Sequence, residues 1–174
     1  MNLLLTIKEQ DIVSDAPHID SSTFRSRQAA RAVILDLKDQ VYLLNVSLYG
    51  YHKLPGGGID DGEEIEEALR RELREEIGCE AEILAELGMI VEHRDYEHLV
   101  QTSYCFLAQQ TGDQKPSELE EGEIAEGMQE AKAQDIEQVI RLLERDEPNN
   151  LEGEFIKRRD IAFLKAAKLL AEKL

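Results

Sequence analysis

A chain of 174 residues carrying 37 acidic against 20 basic side chains, with a formal net charge of −17, is a poor partner for long nucleic acid, whose binding rests on Lys and Arg neutralising phosphates. The length supports one well-buried core; the 42% apolar and 33% charged fractions are those of an ordinary soluble domain, and no apolar run reaches the ~18 to 20 residues of a membrane span. A small phosphorylated ligand stays open, because a divalent cation can bridge an acidic site to a phosphate.

The N-terminus, MNLLLTIKEQDIV, has a three-leucine patch but neither a basic n-region nor a cleavage site, so export is not expected and the cytoplasm is. Arg31 to Asp36 and Val41 to Val46 read as strands around LysAspGln, a hairpin. Four glycines, Gly56, Gly57, Gly58 and Gly62, precede a helical stretch from Glu63 to Ile77. Strands follow at Ile83 to Glu92 and Leu99 to Ala108, where alternation and β-branched or aromatic residues recur. Cys79 and Cys105 lack a CxxC spacing and read as reduced core thiols. Ser117 to Glu130 is dense in acids and is expected to be a solvated loop or short helix. Helices are predicted at Asp135 to Glu144 and at Phe155 to Glu172, with "RDEPNN" as the turn between them. This order predicts an α/β fold, a mixed sheet covered by helices.

The Glu63 to Ile77 helix repays a projection at ~100° per residue. With Glu72 at zero, Ile65, Leu69 and Leu73 fall between ~20° and ~100°, Glu76 near ~40° and Glu75 near ~−60°, whereas Arg70, Glu63, Arg74 and Glu67 lie between ~160° and ~220°. Glu66 and Glu67 each have an arginine four residues on, Arg70 and Arg71, which marks a solvated, paired face. Glu72 and Glu76 instead share the arc that the apolar residues bury, with Glu75 at its edge. An ionised carboxylate removed from water without a partner costs several kcal/mol, and three together also repel. A cation supplies the missing charge, and oxygen ligands suit Mg²⁺ or Mn²⁺. The glycines allow a close approach of backbone to a ligand, and free N–H groups at the helix N-terminus favour a phosphate there.

Gly57, five residues, Glu63, seven residues, then Arg71-Glu72-Leu73-Arg74-Glu75-Glu76-Ile77-Gly78-Cys79 resembles the complete signature of the Nudix hydrolases. Cys79 is the one departure, standing where the family usually has an aliphatic residue. The resemblance covers Arg27 to Leu143 and implies a Nudix-type α/β/α sandwich: one domain over 1–174, with a variable N-terminal segment (about 1–26) and an added C-terminal helix (about 155–173). It implies hydrolysis of a pyrophosphate bond in a small nucleoside diphosphate derivative, using Mg²⁺ or Mn²⁺. Glu72, Glu75 and Glu76 are then the metal ligands, joined by a backbone carbonyl, that of Gly56. Arg71 orients the glutamates and Glu63 supports that network.

The family draws its general base from the box or from a distant acidic loop, where Glu121, Glu123 and Glu126 are the candidates and Glu126 is favoured. With no tryptophan in the chain, base stacking falls to Tyr49, Tyr51, Tyr96 or Phe106. The partner expected is a small phosphorylated nucleotide: a nucleoside triphosphate, an oxidised nucleotide or a dinucleoside polyphosphate. A homodimer is left open. The competing reading is a Nudix-like regulatory domain that binds a nucleotide without turning it over; such relatives commonly lose box glutamates, and this chain keeps them.

Overall fold

Along the second strand, β2 (Arg25–Leu35), Ala30, Ala32 and Ile34 point to one face of the sheet and Arg31 and Val33 to the other. Both faces of its inner half are buried, so strand β2 must be covered from two sides, and the rest of the chain supplies the covers. The computed structural model describes residues 1–172.

Eight strands form one mixed sheet: β1 (Leu3–Lys8), β2, β3 (Val41–Val46), β4 (Tyr51–Lys53), β5 (Gly56–Gly58), β6 (Glu80–Arg94), β7 (Leu99–Thr111) and β8 (Met128–Ala133). Their main path runs β1-β6-β7-β2-β3-β4, with β5 on β2 and β8 on β3. The β1–β6 and β2–β7 pairs are parallel and the remainder antiparallel. Helix α1 (Ile65–Ile77) packs Ala68, Leu69, Leu73 and Ile77 against Ala30, Ala32, Ile34, Tyr42 and Phe106. On the opposite face α3 (Ile136–Arg145) and α4 (Leu151–Ala171) bring Val139, Leu143, Phe155, Phe163 and Leu164 onto Val33, Leu43, Ile90 and Cys105. The sheet is therefore sandwiched between helices, as the order of elements predicted.

Several boundaries move, each for a local reason. α1 starts at Ile65 with Glu64 as its N-cap, so Glu63 stands outside the helix and its predicted place on the far helical face does not apply. α4 starts at Leu151 rather than Phe155, because the Asn150 side chain accepts the Gly153 N–H at 2.8 Å and caps an extra turn. Residue 173, the last of the expected C-terminal helix, lies outside the described residues. The N-terminal segment holds an unpredicted strand, β1, which adds to the sheet edge and buries Ile7. The acidic stretch is a short helix, α2 (Glu121–Ala125), flanked by loop and running into β8. Cys79 and Cys105 are buried free thiols, as expected. Among the described residues no helix is long and apolar enough to cross a membrane.

Candidate active site

Glu76 is the only charged residue among those α1 buries, and what surrounds it defines the site. Its side chain is 1% exposed, that of Glu72 13% and that of Glu75 37%; this gradient follows the helical angles of the three residues relative to the apolar stripe. Glu76 Oε2 accepts the Gly56 N–H at 2.5 Å and Oε1 accepts from Lys53 Nζ at 3.0 Å. Glu72 Oε1 and Glu75 Oε2 both accept from Arg71 Nη1, at 2.8 and 3.2 Å. Arg71 is anchored in turn by a bidentate pair with Glu63, Nε to Oε1 at 3.0 Å and Nη2 to Oε2 at 2.9 Å, and by the Gly58 carbonyl at 3.0 Å. The Glu67–Arg71 pair expected from i, i+4 spacing is not made; Arg71 turns to the site because five charge-assisted bonds outweigh one exposed pair. The Glu66–Arg70 pair is present, on the surface.

The glycine run explains how these groups meet. Gly56, Gly57 and Gly58 form strand β5, paired with Arg31, Ala30 and Ala29 of β2. Gly56 has φ +123°, and a Cβ there would overlap the Ala30 carbonyl; a Cβ on Gly57 would overlap the Glu72 carboxylate. The run therefore lies against the C-terminal half of α1, at Glu72 and Glu76. The expected phosphate cradle at the helix N-terminus is not what the glycines build. They admit the backbone to the carboxylates instead, with the Gly56 carbonyl accepting from Arg31 Nη1.

A cleft of about 330 Å³ opens over this arrangement. Glu72, Glu75, Glu76 and Gly56 line it, as do Arg27, Arg31, Lys53 and Arg71, and across it stand Glu120, Glu123, Glu126, Tyr51, Glu152 and Ile156. Of the three candidate bases, Glu123 and Glu126 face the cleft, whereas Glu121 is exposed and does not. Glu120, not singled out in the sequence, joins them. Tyr51 lines the cleft. Phe106 is buried against α1 and cannot stack on a base; Tyr49 packs beside Val46 and Ile156, and Tyr96 sits near Phe155, with ring centroids 6.2 Å apart. Arg31 and Lys53 were missed in the sequence. They lie on strands, and their relation to the glutamates is made only by the fold.

The electrostatics favour an added cation. Burial raises the Glu72 carboxyl above its ordinary range, the charge of Glu76 raises it further, and Arg71 offsets only part. Burial, assisted by Glu76, likewise raises Glu123 against the Glu120 N–H and Lys53. Burial brings the Arg31 guanidinium down to about 10. Among the described residues no three carboxylate, His or Cys side chains are already drawn into a metal cage. Each of these groups instead has a cationic side chain at one oxygen: the Gly56 carbonyl has Arg31, Glu76 has Lys53, and Glu72 and Glu75 share Arg71. The donor set is all oxygen, partly desolvated and crowded with negative charge, which fits a hard divalent ion.

Residues 25–156 match the family model described as NUDIX domain. A putative 8-oxo-dGTP diphosphatase of Bacillus subtilis is 35% identical over 74 residues, 41% of this chain and 50% of that protein. The nucleoside triphosphatase NudI of Escherichia coli is 66% identical over 29 residues, 17% of this chain and 21% of that protein. The chain thus spans half or less of the length of these curated relatives. Among solved structures, the E. coli ORF135 protein superposes with a TM-score of 0.62 at 17% identity, covering 90% of this chain and 96% of that one. A NUDIX hydrolase from Nitrosomonas europaea gives 0.60 at 15% identity, covering 83% and 90%. At these identities the superpositions speak for the fold alone.

Proposed function

The chain belongs to the Nudix family, and from that membership we propose that it hydrolyses a pyrophosphate bond in a small nucleoside diphosphate derivative, with Mg²⁺ or Mn²⁺ as cofactor. One observation carries the reading: Glu72, Glu75, Glu76 and Gly56 line a single cleft in which the negative charge of the carboxylates is crowded and partly desolvated. Those four groups would hold the cation, which when bound neutralises phosphate oxygens and lowers the pKa of water.

The protein's own residues do the remaining work. Arg71, fixed by Glu63, holds Glu72 and Glu75 in their rotamers and is the positioning residue of the site. Glu126 or Glu123, on the opposite wall, accepts the proton of the attacking water; Glu126 keeps the place favoured from sequence. Arg27, exposed at the mouth, offers a guanidinium to a phosphate. The nucleoside lies toward Tyr51 and Ile156, the apolar end of the lining. The printed activities of the relatives, an 8-oxo-dGTP diphosphatase and a nucleoside triphosphatase, support a nucleotide as the partner class. Because Ile7 of β1 and the apolar side of α4 pack on the sheet whose other face carries the box helix, we read residues 1–174 as one functional unit. The reduced thiols agree with a cytoplasmic setting.

The test is a panel of nucleoside triphosphates, oxidised nucleotides, dinucleoside polyphosphates and nucleotide sugars, each incubated with Mg²⁺ or with EDTA while phosphate and pyrophosphate are measured. Turnover of at least one class with Mg²⁺ and none with EDTA is expected. No turnover of any class contradicts the proposal and favours a binding domain.

A further inference from the structure

We propose that Lys53 is an exchangeable counter-ion of the site: its ammonium neutralises Glu76 while no cation is bound, and passes to a substrate phosphate when a divalent ion takes Glu76. The inference rests on the cation reading above and goes beyond it by assigning a phosphate-binding residue outside the signature.

Two observations distinguish Lys53 from the other cations of the cleft. Arg71 keeps Glu63 and the Gly58 carbonyl as partners even if Glu72 and Glu75 turn away, so it stays in place through any rearrangement. Among the described residues Lys53 Nζ has one hydrogen-bond partner, Glu76 Oε1 at 3.0 Å, and its side chain is only 12% exposed. A nearly buried ammonium that loses its single anion needs another. The second observation is the position of the pair. Glu76 is 1% exposed, so a cation arriving there and the Lys53 ammonium compete for the same desolvated carboxylate. The cleft lining that Lys53 shares with Arg27 and Arg31 is where the released ammonium meets the anion it needs. Arg31 differs in holding a neutral group, the Gly56 carbonyl, through Nη1, while its buried Nε has no partner among the described residues.

The device couples the two ligands. Metal binding frees the ammonium, and the freed ammonium raises the affinity for phosphate, a positive coupling between sites. Among the other carboxylates of the cleft the chief rival acceptor is Glu123, whose charge Lys53 already favours. Transfer to Glu123 would leave the substrate untouched.

The test is Lys53→Met, which keeps most of the stem and removes the charge, with Lys53→Gln in reserve if the first variant does not fold. Mn²⁺ binding is measured without substrate, by electron paramagnetic resonance of the free ion, and KM and kcat are measured on the substrate found above. Removing the competitor should tighten Mn²⁺ binding by roughly tenfold, and the Mn²⁺-induced rise in Tm should exceed that of the wild type. KM should rise by roughly tenfold with kcat changed by less than about twofold, because the lost contact is to substrate and transition state alike. A purely structural lysine would not move the two affinities in opposite directions. Unchanged or weaker Mn²⁺ binding, or an unchanged KM, overturns the exchange while leaving the cation reading intact. Failure of the wild type to bind Mn²⁺ overturns both.

Discussion

The Gly56 N–H donates to Glu76 Oε2 at 2.5 Å, so the glycine strand and the last full turn of α1 are one hydrogen-bonded unit. The Gly57 Cα packs on the Glu72 carboxylate and the Gly58 carbonyl accepts from Arg71. Each of the three consecutive glycines thus contacts a different charged residue of the helix. This is the physical content of the glycine-to-glutamate spacing: the glycines keep side chains out of a space that carboxylates and arginine fill.

Gly57→Ala places a methyl group on the Glu72 carboxylate and forces it away from Arg71. The expected result is a fall in kcat/KM of roughly 100-fold, the scale of a misplaced catalytic group, with a loss of ~1 to 3 kcal/mol in stability from overpacking. Steady-state kinetics and urea denaturation of the same preparation check it. Wild-type turnover would show that the glycine is not needed for Glu72 placement.

Arg71→Lys retains the charge but cannot form the fork to Glu63 while also reaching Glu72, Glu75 and the Gly58 carbonyl. We expect kcat/KM to drop by roughly 100-fold with little change in KM and an unaltered circular dichroism spectrum. A full-rate variant would mean that charge alone, without geometry, suffices at this position.

Glu92, fully buried on β6, accepts from Arg94 Nη2 at 3.0 Å and Gln101 Nε2 at 2.9 Å, with Arg159 Nη1 at 3.6 Å. All three charged side chains are at most 2% exposed. Glu92→Gln removes the carboxylate that Arg94 and Arg159 share, leaving Arg94 with the half-exposed Glu152 and Arg159 with Asp160, and is expected to cost ~3 to 5 kcal/mol, read as a lower midpoint in denaturant. Because Arg159 sits on α4, the loss also reports how firmly that helix is docked. A change below about 1 kcal/mol would contradict the role given to this network.

The acid limb of stability should depend on Asp36. Burial alone would raise its carboxyl, but the N–H groups of Gln40 and Lys38 and the Lys132 ammonium outweigh it and hold it below the ordinary range. A folded-state pKa below the unfolded value of ~3.9 contributes stability that is fully present above that value and is lost as pH falls through the folded pKa. Asp36→Asn should therefore be less stable than the wild type by ~1 to 3 kcal/mol at pH 7, and the gap should narrow below about pH 4. Denaturation curves at pH 7 and pH 3 decide it; a gap of the same size at both values would remove Asp36 from the account.

How much of this is legible in the sequence depends on the range of each contact. The inward turn of Glu72, Glu75 and Glu76 is a property of one helix, and the ~100° period ranks their burial correctly. The helix at Asp135 was placed to within a residue because Asp135 caps it. The start of α4 was missed although Asn150 offers the same kind of signal; Gly153 interrupts the apolar pattern there and hid it. Glu63 was placed on the wrong side because a helical projection was carried two residues past the true N-terminus. Lys53, Arg31 and Glu120 could not be found at all, since Lys53 and Arg31 reach the site across strand pairings and Glu120 from the loop before α2, relations that no local pattern encodes. Strand β1 was likewise invisible: its outer leucines are exposed and only Ile7 is buried, so it lacks the apolar alternation of a core strand.

The central claim, that buried carboxylates of α1 carry a metal-dependent hydrolysis, is tested most directly by Glu76→Gln, which keeps shape and removes one charge. The measurement is phosphate or pyrophosphate release in saturating Mg²⁺, wild type beside variant, on the substrate the panel identifies, with the fold of each verified by circular dichroism. The account predicts a folded variant whose kcat/KM is lower by about 100- to 1000-fold. A folded variant within a few-fold of the wild type would contradict it.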